Sequence, residues 1–185
     1  KNSKNHEGRK ENGFPEVPEI MKTEGKMRLG MIGVGGFGEV LRERLRETGL
    51  FELVTAYDIH AEALARAQKD DGARPVKSYP ELLDTAGIEA IIISTGAKFH
   101  AEQTLLAMER GLHVFVEKPL CSTPEEVQAL LTTQKKTGVV VGVGHVDHTH
   151  DASALMIRRM IARGDFGTVA TFEKTTAHSG GLMIK

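Results

Sequence analysis

The 185-residue sequence contains no tryptophan and a single cysteine, Cys121. One thiol excludes an intrachain disulfide and suits a reducing compartment, so the expected location is the cytoplasm. Aromatic residues make up 5% of the chain, so aliphatic side chains must build the core. No apolar stretch reaches the ~20 residues that a membrane-spanning helix needs, and the polar first residues show no signal-peptide pattern. An excess of one charge is also missing: 24 Lys and Arg stand against 25 Asp and Glu, a formal net charge of -1. That balance gives no reason to expect nucleic acid or a membrane surface as a partner.

What is present is a regular alternation that starts at Met27. Residues 1–26 are polar, with Pro15 and Pro18, and bury too little apolar surface to offset the entropy of ordering. A disordered tail is expected there. Arg28 to Val34 is an apolar run suited to a buried strand. A helix is expected over Phe37–Thr48, with Phe37, Leu41 and Leu45 on its inner face and Gly49 as its stop. Phe51–Tyr57 reads as a strand and Ala61–Asp70 as a helix. Pro75–Tyr79 reads as extended and Pro80–Thr85 as a helical turn. Ile88–Ser94 is a nearly continuous apolar run, the pattern of a central strand buried on both faces. A helix over Lys98–Arg110, a strand over His113–Glu117 and a helix opened by Thr123, Pro124 and Glu126 follow. The Thr-x-x-Glu spacing is a capping box with proline at the first helical position. Val127, Leu130 and Leu131 are expected on that helix's inner face. Val139–Gly144 is a further strand, Asp151–Arg163 a last helix with Met156 and Met160 in a core, and Val169–Thr176 the first strand of something new. Strand–helix alternation of this length makes an α/β fold: an open, doubly wound parallel sheet with helices on both faces.

Residues 33–38 read Gly-Val-Gly-Gly-Phe-Gly, between a strand and a helix. Gly33 permits the tight turn, Gly35 lets a pyrophosphate approach the backbone, and Gly38 lets helix and strand pack closely. Gly36 and Phe37 open the helix, whose first N–H groups face the phosphates. Asp58 ends the second strand, 20 residues after Gly38, where a carboxylate accepts the hydroxyls of an adenosine ribose. Glycine loop, flanking elements and acidic partner together are the fingerprint of a Rossmann dinucleotide site, so the expected cofactor is NAD. Asp58 repels a 2′-phosphate, and the following Ile59 and His60 supply no arginine to hold one, so NAD is expected over NADP.

The strand that starts at His113 leads into Glu117-Lys118-Pro119, at the strand end where ligands bind in such sheets. Lys118 there is either a group at the reactive end of the cofactor or part of a charged turn. Pro119 biases Lys118 towards extended backbone and makes a cis bond possible. The glycine loop, Asp58 and the segment Gly111 to Pro119 resemble the glucose–fructose oxidoreductase/inositol dehydrogenase (Gfo/Idh/MocA) family, over about Met27 to Gly167. Ile91 to His100 is similar to the family's strand and loop over the nicotinamide ribose, with Gly96 and Ala97 where the family usually has Pro and Asn. The resemblance implies that Ser94, Thr95, His100, Glu117 and Lys118 belong to the cofactor site and that Lys118 is catalytic. It implies a second, mostly antiparallel domain that carries the substrate pocket, supplies a His and an Asp, and makes the whole protein a homo-oligomer. The expected organisation is a tail over 1–26, a dinucleotide-binding domain over 27–147, and a linking helix with the truncated start of a substrate domain over 148–185. The chain is accordingly expected to be a fragment.

His145, Asp147, His148, His150 and Asp151 crowd into seven residues. Imidazole and carboxylate suit zinc, but strand alternation puts His145 and Asp147 on one face and His148 and His150 on the other. A polar strand-to-helix connection fits as well, and no metal is assigned.

The expected function is an NAD-dependent oxidoreductase acting on a secondary hydroxyl of a sugar, cyclitol or related polyol. The alternatives are a non-catalytic NAD-binding module and a glycosidase that uses the same hydride chemistry transiently.

Overall fold

The computed structural model describes residues 25–145, 152–171 and 173. Most of the expected tail, the cluster from residue 146 to Asp151, and the residues after 173 lie outside them. The chain divides after Val143 into two compact units, a few residues before the expected boundary at 147.

The first unit is built on a parallel sheet of six strands: β1 Met27–Ile32, β2 Phe51–Tyr57, β3 Arg74–Pro75, β4 Ala90–Ile93, β5 His113–Val116 and β6 Val141–Val143. Their order is β3-β2-β1-β4-β5-β6. The helices between them are α1 Phe37–Thr48, α2 Ala61–Asp71, α3 Tyr79–Leu83, α4 His100–Glu109 and α5 Pro124–Thr137. The chain first winds outward from β1 and then returns to β4 on its other side. That reversal opens a crevice beyond the carboxyl ends of β1 and β4.

Period-2 alternation sorts the strand residues onto two cores. Ile32, Ile91 and Ile93 join Tyr79, Leu82, Met108 and Leu130 under α3, α4 and α5. Leu29, Met31, Ala90 and Ile92 join Val34, Ala63 and Ala67 under α1 and α2. Each fully buried Ile contributes roughly 1.5–3 kcal/mol. Gly30 is required by close approach: a Cβ there stands 2.8 Å from Ile91 Cδ1 and 2.9 Å from Leu82 Cδ2.

The helix punctuation follows the residues. α1, α2 and α5 end at Gly49, Gly72 and Gly138 in left-handed conformation. The capping box at α5 forms as expected, Thr123 accepting from the Glu126 N–H while Glu126 accepts from the Thr123 N–H. At α3 the Ser78 side chain accepts from the Glu81 N–H.

Several expectations are corrected. Phe37 is not on the inner face of α1: it is 52% exposed, and Arg42 is buried in its stead at 1%. Phe37 is the first residue of the helix that follows β1, and the residues α1 buries are Gly38 and Arg42. In α5 only Leu130 is buried, and Val127 and Leu131 are 42% and 47% exposed. The expected helix from Lys98 begins as a 3-10 turn over Ala97–Phe99. In the second unit α6 spans Ala152–Arg163, Met156 is 60% exposed rather than core, and residues 169–171 form no strand.

Candidate functional site

Three backbone hydrogen bonds align the strand ends that floor the crevice. Gly33 donates to Tyr57 O at 2.9 Å, Ser94 to Ile32 O at 2.9 Å and Glu117 to Ile93 O at 2.9 Å. The crevice has a volume of about 1020 Å³. Gly33, Gly35, Gly36, Asp58, Ser94 and Thr95 line it together.

The glycines act as the loop chemistry demands. Gly33 has φ +81°, and a Cβ there meets Ser94 O at 2.4 Å. A Cβ on Gly38 meets Gly33 O at 2.1 Å, so helix and turn touch through bare backbone. Gly36 has φ +53° with open space around it.

Asp58 holds the loop from the side. Its Oδ2 accepts from Val34 N–H at 2.8 Å and Gly35 N–H at 3.2 Å, and its Oδ1 accepts from His60 N–H at 2.9 Å. A carboxylate has about four acceptor positions, so Oδ1 keeps one for a ribose hydroxyl. Ile59, 81% exposed, lines the crevice beside it and offers an apolar surface to a base.

The other residues of the expected site stand around this crevice rather than in its lining. Phe37 is exposed at the start of α1, and Gly38 is buried beneath the loop. His100 is 1% exposed. Its Nδ1 lies 2.7 Å from Pro119 O and its Nε2 2.9 Å from Thr95 O, so the ring faces the backbone of two loops. Glu117 is 8% exposed and Lys118 is exposed, on the turn that follows β5. The Lys118–Pro119 bond is cis. Glu117 Oε2 accepts from Lys118 N–H at 3.3 Å, while Glu117 Oε1 is buried without a hydrogen-bond partner.

That orphaned oxygen fits a hydroxyl-bearing ligand, because a buried acceptor without a donor is destabilising by about 1–3 kcal/mol. Together with the bare loop and the Asp58 carboxylate, it meets the demands of a dinucleotide: donors for phosphates, acceptors for ribose hydroxyls. Among the described residues no cluster of three metal-ligand side chains occurs, and of the histidine-rich segment only His145 is described.

Two residues of this region escaped the sequence reading. Arg66 lines the crevice and faces Glu39 at 3.3 Å; its position three after the buried Ala63 was the available signal. Arg42 lies under the loop, and helical spacing from Gly38 marks its face.

Residues 27–145 match the sequence model of the Gfo/Idh/MocA oxidoreductase family, NAD-binding Rossmann fold. The chain belongs to this family. It is 34% identical over 143 residues to the 1,5-anhydro-D-fructose reductase of Ensifer adhaerens, covering 76% of this chain and 42% of that one. It is 33% identical over 172 residues to a glycosyl hydrolase family 109 protein of Shewanella sp. (strain ANA-3), covering 86% of this chain and 37% of that one. Its fold matches the WlbA dehydrogenase of Bordetella pertussis, solved in complex with NADH and UDP-GlcNAcA, with a TM-score of 0.70 and 27% identity over 77% of this chain and 43% of that one. The chain thus spans well under half the length of these relatives. The Gfo/Idh/MocA sheet accounts for the strand order, and NAD is the cofactor of the fold.

Proposed function

We propose that this chain is the nucleotide-binding part of an NAD-dependent oxidoreductase that oxidises or forms a secondary hydroxyl of a sugar, cyclitol or related polyol. The observation that carries the proposal is the Glu117-Lys118-Pro119 turn, set on β5 beside the crevice strand β4, with Glu117 Oε1 buried and unpartnered. A pure binding module has no need of an exposed lysine there.

NAD, when bound, supplies the hydride acceptor. Gly33, Gly35, Gly36 and the first turn of α1 hold its pyrophosphate, and Asp58 takes an adenosine ribose hydroxyl. Asp58 also favours NAD over NADP by repelling a 2′-phosphate. Ser94, Thr95 and Glu117 would hold the nicotinamide ribose, with His100 supporting the Thr95 and Pro119 loops. Lys118 donates from Nζ to the substrate oxygen and favours its developing alkoxide character. The hydroxyl proton passes to a base, which the family resemblance assigns to a His of the substrate domain. In the whole protein that domain also makes the homo-oligomer, and the enzyme works in the cytoplasm.

A second reading is supported by the likeness to the glycosyl hydrolase family 109 protein. In it the same residues serve a transient oxidation that ends in cleavage of a glycosidic bond. Sugar release without net NADH formation would decide for that reading.

The first test is titration of the chain with NADH and NADPH, followed by fluorescence. Saturable NADH binding, weaker for NADPH, is expected; equal or tighter NADPH binding overturns the NAD preference. In the whole enzyme Lys118→Ala is expected to lower kcat at least a hundredfold with NADH affinity changed less than threefold. Unchanged turnover overturns the role of Lys118.

A further inference from the structure

Arg42 is the largest of the fully buried side chains among the described residues, and nothing in the chemistry above uses it. A buried charge is destabilising by several kcal/mol unless it is paired and hydrogen-bonded, and an apolar side chain of similar volume packs as well. The reason for a guanidinium here must lie in what only a donor can do.

Its Nε donates to the carbonyl oxygen of Val34 at 3.2 Å. Its Nη1 pairs with Asp71, whose side chain is 4% exposed and which also pairs with Arg46. Asp71 is the last residue of α2, where the helix dipole disfavours a carboxylate. It is therefore misplaced for its own helix and well placed for Arg42.

The Val34 carbonyl belongs to the peptide unit that joins Val34 to Gly35. The N–H of that same unit donates to Asp58 Oδ2 at 3.2 Å. A cation holds the oxygen of this peptide and an anion holds its hydrogen. Both anchors are partly or wholly buried, so water competes weakly for either bond. Rotating the peptide breaks both. The residues that follow, Gly35 to Gly38, are the ones that must present N–H groups to a pyrophosphate.

We infer that Arg42 is a positioning residue for the cofactor: through Asp71 it ties the glycine loop to the end of α2 and fixes the Val34–Gly35 peptide in the orientation that binds phosphate. The inference rests on the reading that this loop holds the pyrophosphate.

The test uses the 185-residue chain with Arg42→Met/Asp71→Leu, which removes both buried charges together; Arg46, the other partner of Asp71, is 42% exposed and stays hydrated. Thermal melting, amide hydrogen exchange at Gly35, and the affinities of NADH and of adenosine are measured. The variant is expected to fold, to exchange the Gly35 amide at least tenfold faster, and to bind NADH roughly tenfold more weakly. Adenosine, which lacks the pyrophosphate, is expected to bind within twofold of the unaltered chain. NADH affinity within twofold, or an equal loss for adenosine, overturns the inference. If the double variant does not fold, Arg42→Lys keeps a charge beside Asp71 without the guanidinium fork; unchanged Gly35 exchange and NADH affinity in it overturn the inference as well. Failure of the unaltered chain to bind NADH would strike the proposed function, whereas Gly35 exchange still decides whether Arg42 fixes the peptide.

Discussion

His100 Nδ1 lies 2.7 Å from the carbonyl oxygen of Pro119, and the opposite nitrogen of the same ring lies 2.9 Å from that of Thr95. One buried ring thereby joins the loop after β4 to the turn after β5, the two segments that carry Thr95 and Lys118. Replacing it by Leu keeps the volume and loses both ring–carbonyl contacts. His100→Leu is expected to be destabilising by about 2–4 kcal/mol and to weaken NADH binding at least fivefold. Thermal melting and fluorescence titration check this; a chain of unchanged stability contradicts the support role.

Glycine-to-alanine changes separate packing from ligand access. A Cβ at Gly38 runs into Gly33 O at 2.1 Å, whereas one at Gly35 meets Ala63 Cβ at 3.1 Å and Asp58 Oδ2 at 3.8 Å. Gly38→Ala is expected to be destabilising by roughly 3 kcal/mol or more. Gly35→Ala is expected to shift stability by about 1 kcal/mol or less while weakening NADH at least fivefold, since its methyl enters the crevice. Denaturant unfolding alongside NADH titration measures both quantities, and equal stability losses contradict the assignment.

Asp58→Ala removes the acceptor of three backbone N–H groups as well as the carboxylate that meets the ribose. NADH affinity is expected to fall at least tenfold, and preference for NADH over NADPH to shrink, because the repulsion of a 2′-phosphate disappears. Side-by-side titrations read both; a retained preference would place the discrimination elsewhere in the crevice.

Tyr79 carries the pH prediction. It is 7% exposed and donates from its phenol to the Gln103 carbonyl at 2.8 Å. Burial pushes its pKa well above the ordinary 10.0, with Arg110 opposing. The unfolded phenol therefore ionises first as pH rises, and its ionisation favours unfolding. The stability that Tyr79 contributes is full below the ordinary value of 10.0 and is lost as pH rises above it. Tyr79→Phe is expected to be destabilising by about 1 kcal/mol at neutral pH and to lessen the decline in melting temperature between about pH 9 and 11. An identical alkaline decline in both chains contradicts the assignment.

Much of this was legible beforehand, for physical reasons that differ by residue. The limits of α1 and the capping box of α5 depend on short-range spacing of Gly49, Thr123, Pro124 and Glu126, which a sequence displays directly. The Ile91–Ile93 run announces a strand buried on both faces, and alternation did sort it onto two cores. Gly33, Gly35 and Asp58 announce a loop and its partner. What stayed hidden depends on neighbours distant in the chain. Arg42, and not the expected Phe37, is buried on α1 because Asp71, 29 residues from Arg42, gives the guanidinium a buried partner. His100 was legible as part of the site through family resemblance, but its burial and its two carbonyl partners become visible only once β4 and β5 are paired. The exposed Val127 and Leu131 show the converse: apolar spacing marks a face without saying that this unit covers it.

The position of β1 between β2 and β4 also has a consequence for synthesis. The two strands that border the crevice are far apart in the chain: Arg28 on β1 is bonded to Glu89, just before β4, across 61 residues. A ribosome adding about 5–20 residues each second needs on the order of 3–12 seconds to cover that interval. Until then β1 has only β2 beside it, the glycine loop has no Ser94 carbonyl behind Gly33, and the growing chain has no crevice for a nucleotide to enter. Cellular NAD can therefore stabilise the nearly finished sheet, but it cannot guide the pairing of the first two strands.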